Sequence, residues 1–347
     1  MVSQAQTHRG TNSAALTRLS VNAARMLGVP ASGYAQLLGV APEHLDDDRY
    51  RAPAATTNRI AELTTGHAHW SELALVLAQQ PGLGTLGVWD YLITSARTPL
   101  EGIRDAAAYL ATVVDPATDT LHIAEDGGQV TVTHHNRADV AHEAANAIRA
   151  GALGIYQRRL SDAAQRHLVP VRVTLTARAP RRLGSLTELY GTRAIAFEAP
   201  ASSVTFLAAD LRAPAPRAQP GLSAVLRSHA EQSLAAAIPL HNWLDLFRTA
   251  LASVHDGAAP TLPAVAQRMN LSTRTLQRRL DEHATTWSHE VETVRRAHVT
   301  RLLRTTDLGI DAIAARSGYA DARALRRAVQ RWYGTTPHAL RQAPEGG

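Results

Sequence analysis

The sequence has no cysteine. Disulfides, thiolate-bound zinc, iron–sulfur clusters and thiol nucleophiles are therefore excluded. It also has no lysine, so all 36 basic residues are arginine. That removes a P-loop lysine, a pyridoxal Schiff base and a lysine general base. Every cation left is a planar fork suited to phosphate and guanine. Aromatic residues make up only 5% of the chain. No stretch approaches the ~18 uninterrupted apolar residues of a membrane helix. Met1–Arg9 has no apolar run behind its basic residue, so no secretion signal is expected. The expectation is a soluble, cytoplasmic protein without a membrane partner.

What remains is ordinary globular material. The chain has 347 residues, 45% of them hydrophobic, and at about 100–200 residues per domain it has room for two domains. Its net charge of +6 is unevenly placed. Residues 1–257 carry 22 Arg and 22 Asp or Glu, whereas residues 258–347 carry 14 Arg and 8 acidic residues. A neutral domain joined to a basic one points to a polyanion at the C-terminal end. The plainer alternative is a solvated basic face.

Apolar spacing near 3.6 predicts helices over 14–27, 31–38, 54–65, 71–79, 88–95 and 99–114. The period then drops to two over 120–124 and 129–134, on either side of Asp126-Gly127-Gly128, which predicts a hairpin. A helix over 138–160 follows, then strands over 169–177, 194–197 and 203–208. Three prolines within 213–220 mark a linker or domain edge. Beyond it the pattern is helical: 221–237, 240–254, 262–269, 273–283, 287–305, 310–317 and 321–333. The predicted fold class is an α+β N-terminal domain, helices with a small antiparallel sheet, followed by an all-α C-terminal domain. The predicted domains are 14–212, a linker and connecting helix over 213–239, and 240–342.

Inside the basic quarter one pattern occurs twice, over 262–282 and 310–333. Ala266 and Ala314 are small where two helices would cross. Asn270 and Gly318, four residues on, suit a turn of positive φ. Leu271 and Tyr319 fill the corner, Ser272 and Asp321 are good N-caps, and Leu276 and Leu325 face inward. That is a helix-turn-helix, and the second helix of such a unit enters the DNA major groove. Spacing leaves Arg274, Thr275, Gln277 and Arg278 exposed on one second helix. It leaves Arg323, Arg326 and Arg327 exposed on the other. Arginine reads guanine and glutamine reads adenine bidentately, while some of these arginines hold phosphate instead. The segment 287–305, about 28 Å long as a helix, can set the two units about one DNA turn apart.

These residues resemble the DNA-binding domain of AraC/XylS transcription regulators. One part of the match is Ala266 to Leu280, with Asn270, Ser272, Arg274 and Leu276-Gln277-Arg278-Arg279. The other is Asp311, Ile313-Ala314 and Gly318-Tyr319 with the closing run Arg331-Trp332-Tyr333-Gly334-Thr335-Thr336-Pro337 and Leu340-Arg341. By this resemblance Arg274, Gln277, Arg278, Arg323, Arg326 and Arg327 fall on base-reading positions. The family has aromatics where Leu325 and Val329 stand, and glycine where Asn270 stands, which implies a less bulky second core. The first ~210 residues resemble the arabinose-binding type of N-terminal domain in this family. The supporting stretches are Leu83 to Val88, Leu186 to Gly191, Ile195 to Pro200 and the hairpin. The resemblance implies effector sensing, dimerisation or both. It also implies promoter DNA and RNA polymerase as partners, and it names no ligand.

Other chemistry is weakly signalled. Gly82-Leu83-Gly84-Thr85-Leu86-Gly87 spells a dinucleotide fingerprint, but a helix rather than a strand precedes it. His142-Glu143 opens a zincin-like string that Asn146 breaks. His67 with His69, or His134 with His135, are the nearest approach to metal ligands, and adjacent histidines on a strand point to opposite faces. No catalytic residue, metal ligand or cofactor is assigned. Trp70, Trp89, Tyr91, Tyr156, Tyr190 and Phe197 are candidates for the wall of a small-molecule pocket. The reading is a sequence-specific DNA-binding regulator with a small-molecule effector, acting as a homodimer. Two alternatives stay open: an N-terminal enzyme with an accessory tail, and a non-specific nucleic-acid binder.

Overall fold

The computed structural model describes residues 8–80, 82–254, 260–269 and 271–342. It divides into two compact units, Met1–His241 and Asn242–Gly347.

The first unit begins with strand β1 (Thr11–Ser13), and the Ser13 hydroxyl caps helix α1 (Ala14–Met26) by accepting from the Leu16 amide. A short helix α2 (Pro42–Leu45) leads to β2 (Tyr50–Pro53), antiparallel to β1. Helices α3 (Ala54–Thr65), α4 (Trp70–Gln79), α5 (Val88–Thr94) and α6 (Pro99–Ala108) follow. The hairpin of β3 (Asp119–Asp126) and β4 (Gln129–Asn136) turns on Gly127 and Gly128, with φ of 55° and 78°. Positive φ at both central residues is what a type I′ turn requires. Next come α7 (His142–Ala164), β5 (Arg172–Thr174), α8 (Gly184–Tyr190), β6 (Ile195–Ala196), β7 (Ser202–Leu207) and α9 (Ala208–Arg212). The unit closes with α10 (Pro220–Ala235) and β8 (Ile238–Pro239).

Two mixed sheets result, not one antiparallel sheet. The larger runs β3-β4-β7-β5-β6, the smaller β1-β2-β8. Strands β5 and β6 are parallel because helix α8 carries the chain across between them. The parallel pair β2 and β8 joins residues far apart in sequence. Helix α7 lies in the centre, buried on most of its circumference, with Ala144, Ala147, Ala150, Leu153, Tyr156 and Leu160 in the main core. It approaches α4 closely at Gly154, where an added Cβ would stand 2.8 Å from the Ala78 Cβ.

Some expected elements are shorter or differently used. The helix expected over 31–38 is a single 3-10 turn, Ala31–Gly33, because Gly33 weakens a run too short to nucleate and the chain is held by packing Val29, Tyr34 and Val40 against Ala24 and Ile60. The strand expected over 169–177 pairs fully only over Arg172–Thr174; Pro170 has no amide to donate. The proline-rich stretch is packed onto the first unit: the Ala215 amide donates to Arg97 O (2.8 Å) and the Gln219 amide to Ser95 O (3.2 Å). Helix α10 follows suit through Arg227–Asp105 (3.0 Å) and the Tyr109 hydroxyl on Glu231 (2.8 Å). The contacts of 213–239 are thus those of a folded part of the first unit.

The second unit is helical throughout its described residues: α11 (Trp243–Val254), α12 (Leu262–Arg268), α13 (Thr273–Glu282), α14 (Trp287–Thr305), α15 (Ile310–Arg316), α16 (Ala322–Tyr333) and α17 (Pro337–Gln342). It has two small cores. One gathers Phe247, Leu251, Val265, Ala266, Leu276 and Leu280; the other Val299, Leu303, Ile313, Ala314, Leu325 and Val329. Helix α14 serves both, with Trp287, Val291 and Val294 on the first and Val299, Leu302 and Leu303 on the second.

Candidate nucleic-acid interface and effector cavity

The duplicated sequence pattern folds into duplicated geometry. In the first copy the Leu271 amide donates to Ala266 O (2.8 Å); in the second the Tyr319 amide donates to Ala314 O (2.9 Å). Ala266 and Ala314 are both buried, which lets the paired helices approach. Ser272 caps α13 by accepting from the Thr275 amide (3.1 Å), and Asp321 caps α16 by accepting from the Ala324 amide (2.7 Å). Gly318 takes the expected positive φ, 71°. Asn270, its counterpart, lies outside the described residues.

Leu276 and Leu325 are fully buried, which turns the opposite sides of α13 and α16 to solvent. Arg274, Gln277 and Arg278 are exposed on the first, and Arg323, Arg326 and Arg327 on the second. Both trios have i, i+3, i+4 spacing, so each lies on one helical face. Arg274, Arg323, Arg326 and Arg327 enter no ion pair among the described residues; Arg278 pairs with Glu282 at 2.9 Å. Thr275 is half-buried and its hydroxyl is bonded to Ser272 Oγ (2.8 Å), so it is turned toward the cap more than toward solvent.

Residues of the closing run brace this scaffold. Trp332 Nε1 donates to Glu292 Oε1 on α14 (2.9 Å), and Arg331 pairs with the same carboxylate. Arg341 donates to Leu303 O (3.1 Å) and Leu308 O (2.6 Å), tying α17 to the end of α14. Beside the first helix-turn-helix, Arg248 on α11 holds the fully buried Glu290 carboxylate of α14 (2.7 Å), joined by the Thr285 hydroxyl (2.7 Å). Burial works to raise the Glu290 carboxyl, but these bonds outweigh it and hold it below its ordinary range.

The first unit contains a cavity of about 100 Å³ between its helices and the hairpin. Leu16, Leu19, Ile60, Leu77, Trp89 and Ile155 are part of its apolar wall. Asp119, His134, Asn136 and Tyr156 form a polar cluster on one side. His134 Nε2 donates to Asp119 Oδ1 (3.1 Å), Asn136 Nδ2 donates to the same oxygen (2.9 Å), and the Tyr156 hydroxyl donates to His134 Nδ1 (2.8 Å). Burial pushes the Tyr156 phenol far up, so it stays protonated and keeps a hydrogen to donate. Of the six aromatics considered as pocket wall, only Trp89 and Tyr156 line the cavity. Trp70 and Tyr190 are core, Tyr91 is exposed, and Phe197 packs against the core's edge.

The other sequence signals resolve structurally. The glycine loop wraps a carboxylate of its own chain. The amides of Gly84 and Leu86 donate to Asp90 Oδ2 (2.9 and 3.0 Å), and Arg159 pairs with Asp90 at 2.6 Å. His134 is buried and its neighbour His135 exposed, on opposite faces of β4. No group of three or more potential metal ligands is gathered among the described residues. Among the same residues, no helix is long and apolar enough to cross a membrane.

Comparison with known proteins supplies the family. Residues 28–215 match the arabinose-binding domain of AraC transcription regulators, N-terminal, and residues 265–343 match a helix-turn-helix domain. Among characterised relatives, the ornithine utilization regulator of Pseudomonas aeruginosa is 25% identical over 314 residues, covering 88% of each chain. The transcriptional regulator VirS of Mycobacterium tuberculosis is 37% identical over 78 residues, 22% of this chain and 23% of its own. Among solved structures, the transcriptional regulator CdpR of Pseudomonas aeruginosa aligns over 94% of this chain and 98% of its own, at 17% identity and a TM-score of 0.43. The first of these matches alone spans more than half of the chain, and the chain therefore belongs to the AraC family of transcription regulators, with an effector-binding type of N-terminal domain and a helix-turn-helix DNA-binding domain.

Proposed function

We propose that the exposed faces of α13 and α16 read two successive major-groove segments of promoter DNA. Arg274, Gln277 and Arg278 make the base contacts of one segment. Arg323, Arg326 and Arg327 make those of the other, and some of these arginines hold phosphate instead. Thr275, drawn toward its cap, contributes through the backbone or a phosphate. The observation that carries this reading is the pair of identically capped helices presenting matched trios of side chains, five of the six arginines, in the basic part of the chain. The protein works by binding, not turnover. It acts in the cytoplasm, as a homodimer, on promoters served by RNA polymerase. A small molecule held in the cavity of the first unit sets its activity, which it can do only by favouring one conformational state over another.

The test is fluorescence anisotropy with duplexes from the protein's own upstream region, over a salt series. Specific binding should exceed binding to scrambled duplex by about 10³ or more and weaken steeply with salt. Arg278→Ala should cost about 1–3 kcal/mol on the operator and relax sequence choice there. Equal affinity for scrambled DNA would favour a non-specific nucleic-acid binder. Substrate turnover by the first unit would favour the enzyme reading.

A further inference from the structure

We propose that the cavity of the first unit takes a small amphiphile with a protonated amine at one end and an apolar body. The proposal rests on the reading of this unit as effector-sensing and names the chemistry of what it senses.

The argument begins with unused hydrogen-bonding capacity. Within the polar cluster every donor but the second N–H of the Asn136 amide is spent. The Tyr156 hydroxyl is on His134, His134 Nε2 and Asn136 Nδ2 are on Asp119 Oδ1, and the Thr118 hydroxyl is on Asp119 Oδ2 (2.7 Å). What is left over is mainly acceptor. Asn136 is buried and its Oδ1 has no partner, while Asp119 Oδ2 has lone pairs to spare. Turning the Asn136 amide over would not relieve this, because it would set the carbonyl oxygen against the Asp119 carboxylate. The wall therefore calls for a ligand that donates several hydrogen bonds.

Charge narrows the class further. Asp119 lines the cavity, no arginine does, and the chain has no lysine. Arg149 lies near Asp119, but its guanidinium is bonded to Asn136 O (3.0 Å) and Thr176 Oγ1 (3.4 Å) and is not part of the cavity wall. A carboxylate or phosphate ligand would meet a like charge with no cation in the wall to pair with. A sugar fits less well for a different reason: although Asn12, Thr57, Asn58 and Thr64 also line the cavity, most of the rest of the wall is leucine, isoleucine, valine and alanine, which would leave many of its hydroxyls unpaired. Even the Trp89 indole N–H is already taken, by Ala106 O (2.9 Å). An ammonium group brings three donors and a positive charge, and a short hydrocarbon body matches the apolar part of the remaining wall. The volume of about 100 Å³ suits a molecule no larger than a short chain or one ring.

The experiment uses the full chain. Isothermal calorimetry and thermal unfolding are run with n-butylamine and n-hexylamine, against n-hexanol, n-hexanoate and L-arabinose. The amines should bind and raise the melting temperature, as any ligand of the native state does. Hexanol should bind at least tenfold more weakly than hexylamine, and hexanoate and arabinose should not bind. Asp119→Asn should weaken hexylamine at least tenfold and leave hexanol unchanged. If circular dichroism shows that variant unfolded, Asn136→Ala carries the same test with a severalfold loss. Amine binding no tighter than alcohol, or binding of hexanoate, overturns the proposal, and neither depends on a variant folding. Operator binding by the same preparation is measured alongside. If it is intact while amines fail, this proposal falls and the regulator reading stands.

Discussion

Asp90 is fully buried, and what surrounds it is an ion pair inside a cage of amides. Arg159 meets it at 2.6 Å, and two amides of the glycine loop close on its other oxygen. Asp90→Asn would leave the Arg159 guanidinium buried with Asp162 (3.0 Å) as its remaining counter-charge and Gly82 O (3.0 Å) as a neutral acceptor. A loss of about 3–5 kcal/mol is expected, since removing one partner strands the other charge. Asp162→Asn, whose side chain is 41% exposed, should cost under about 1 kcal/mol. Urea midpoints of the two variants check the contrast. Glu290 gives a second residue-scale prediction, in pH. Its carboxyl titrates below the ordinary value of 4.5, so its contribution is present in full above that value and is lost as pH falls through the native one. Glu290→Gln should therefore cost about 1–3 kcal/mol at neutral pH, and the gap to the wild type should close as pH falls from 4.5 through the lower native value. Urea titrations between neutral pH and pH 3 follow it. Neither group stood out in the sequence. An Asp followed by no partner within a helical turn shows nothing of an arginine far along the chain.

The elements differ in how openly the sequence declares them. The two helix-turn-helix units were legible because their determinants are local: a small residue, a turn residue, a cap and an inward leucine within about twenty positions. The three-residue strand β1 and its partners β2 and β8 were not, because strands so short have no period to detect and β2 carries the buried Arg51. Burial lowers that guanidinium to about 10, and it is held by Thr11 O (2.8 Å) and Val114 O (3.1 Å), contacts that exist only in the folded unit. The cavity is a middle case. Its wall draws on residues from Asn12 to Tyr156, beyond any local signal. The polar cluster, however, was implicit in the Gly127-Gly128 turn: that turn sets Asp126 opposite Gln129 and hence Asp119 opposite Asn136, with His134 on the same face. Helix α14 carries the element-scale prediction. Its 19 residues serve both small cores, so it fixes the angle between the two reading helices. Two residues inserted between Arg295 and Arg296 would rotate one core against the other by roughly 200°. Affinity for the full operator should fall by at least tenfold, while each half-site duplex is bound as before. Anisotropy on full and split operators reads this directly, and equal affinity for the full site would show that the helix is not a spacer.

At the scale of the whole molecule, the two units have separate hydrophobic cores and opposite tasks. The second unit carries the arginine faces and two closed clusters, and each cluster is completed by its own helices together with α14. The first carries the cavity, a large core that includes both the hairpin and the central helix α7, and a smaller cluster around Val29 and Tyr34. A fragment spanning 242–347 is therefore expected to fold alone and to bind operator with the salt slope of the full chain, because that slope counts phosphate contacts made by this unit. What the fragment should lose is regulation. An effector changes DNA affinity only through a difference in its affinity for two states of the chain, and the coupling is reciprocal. In the full protein, saturating operator should shift the affinity for the effector by the same factor that saturating effector shifts the affinity for operator, about 5–150-fold for coupling of ordinary strength. Effector titrations with and without operator, set beside operator titrations with and without effector, measure both arms. Equal arms in the full chain and no effector response in the fragment are the expected result. A fragment that still responds would place the effector site in the second unit.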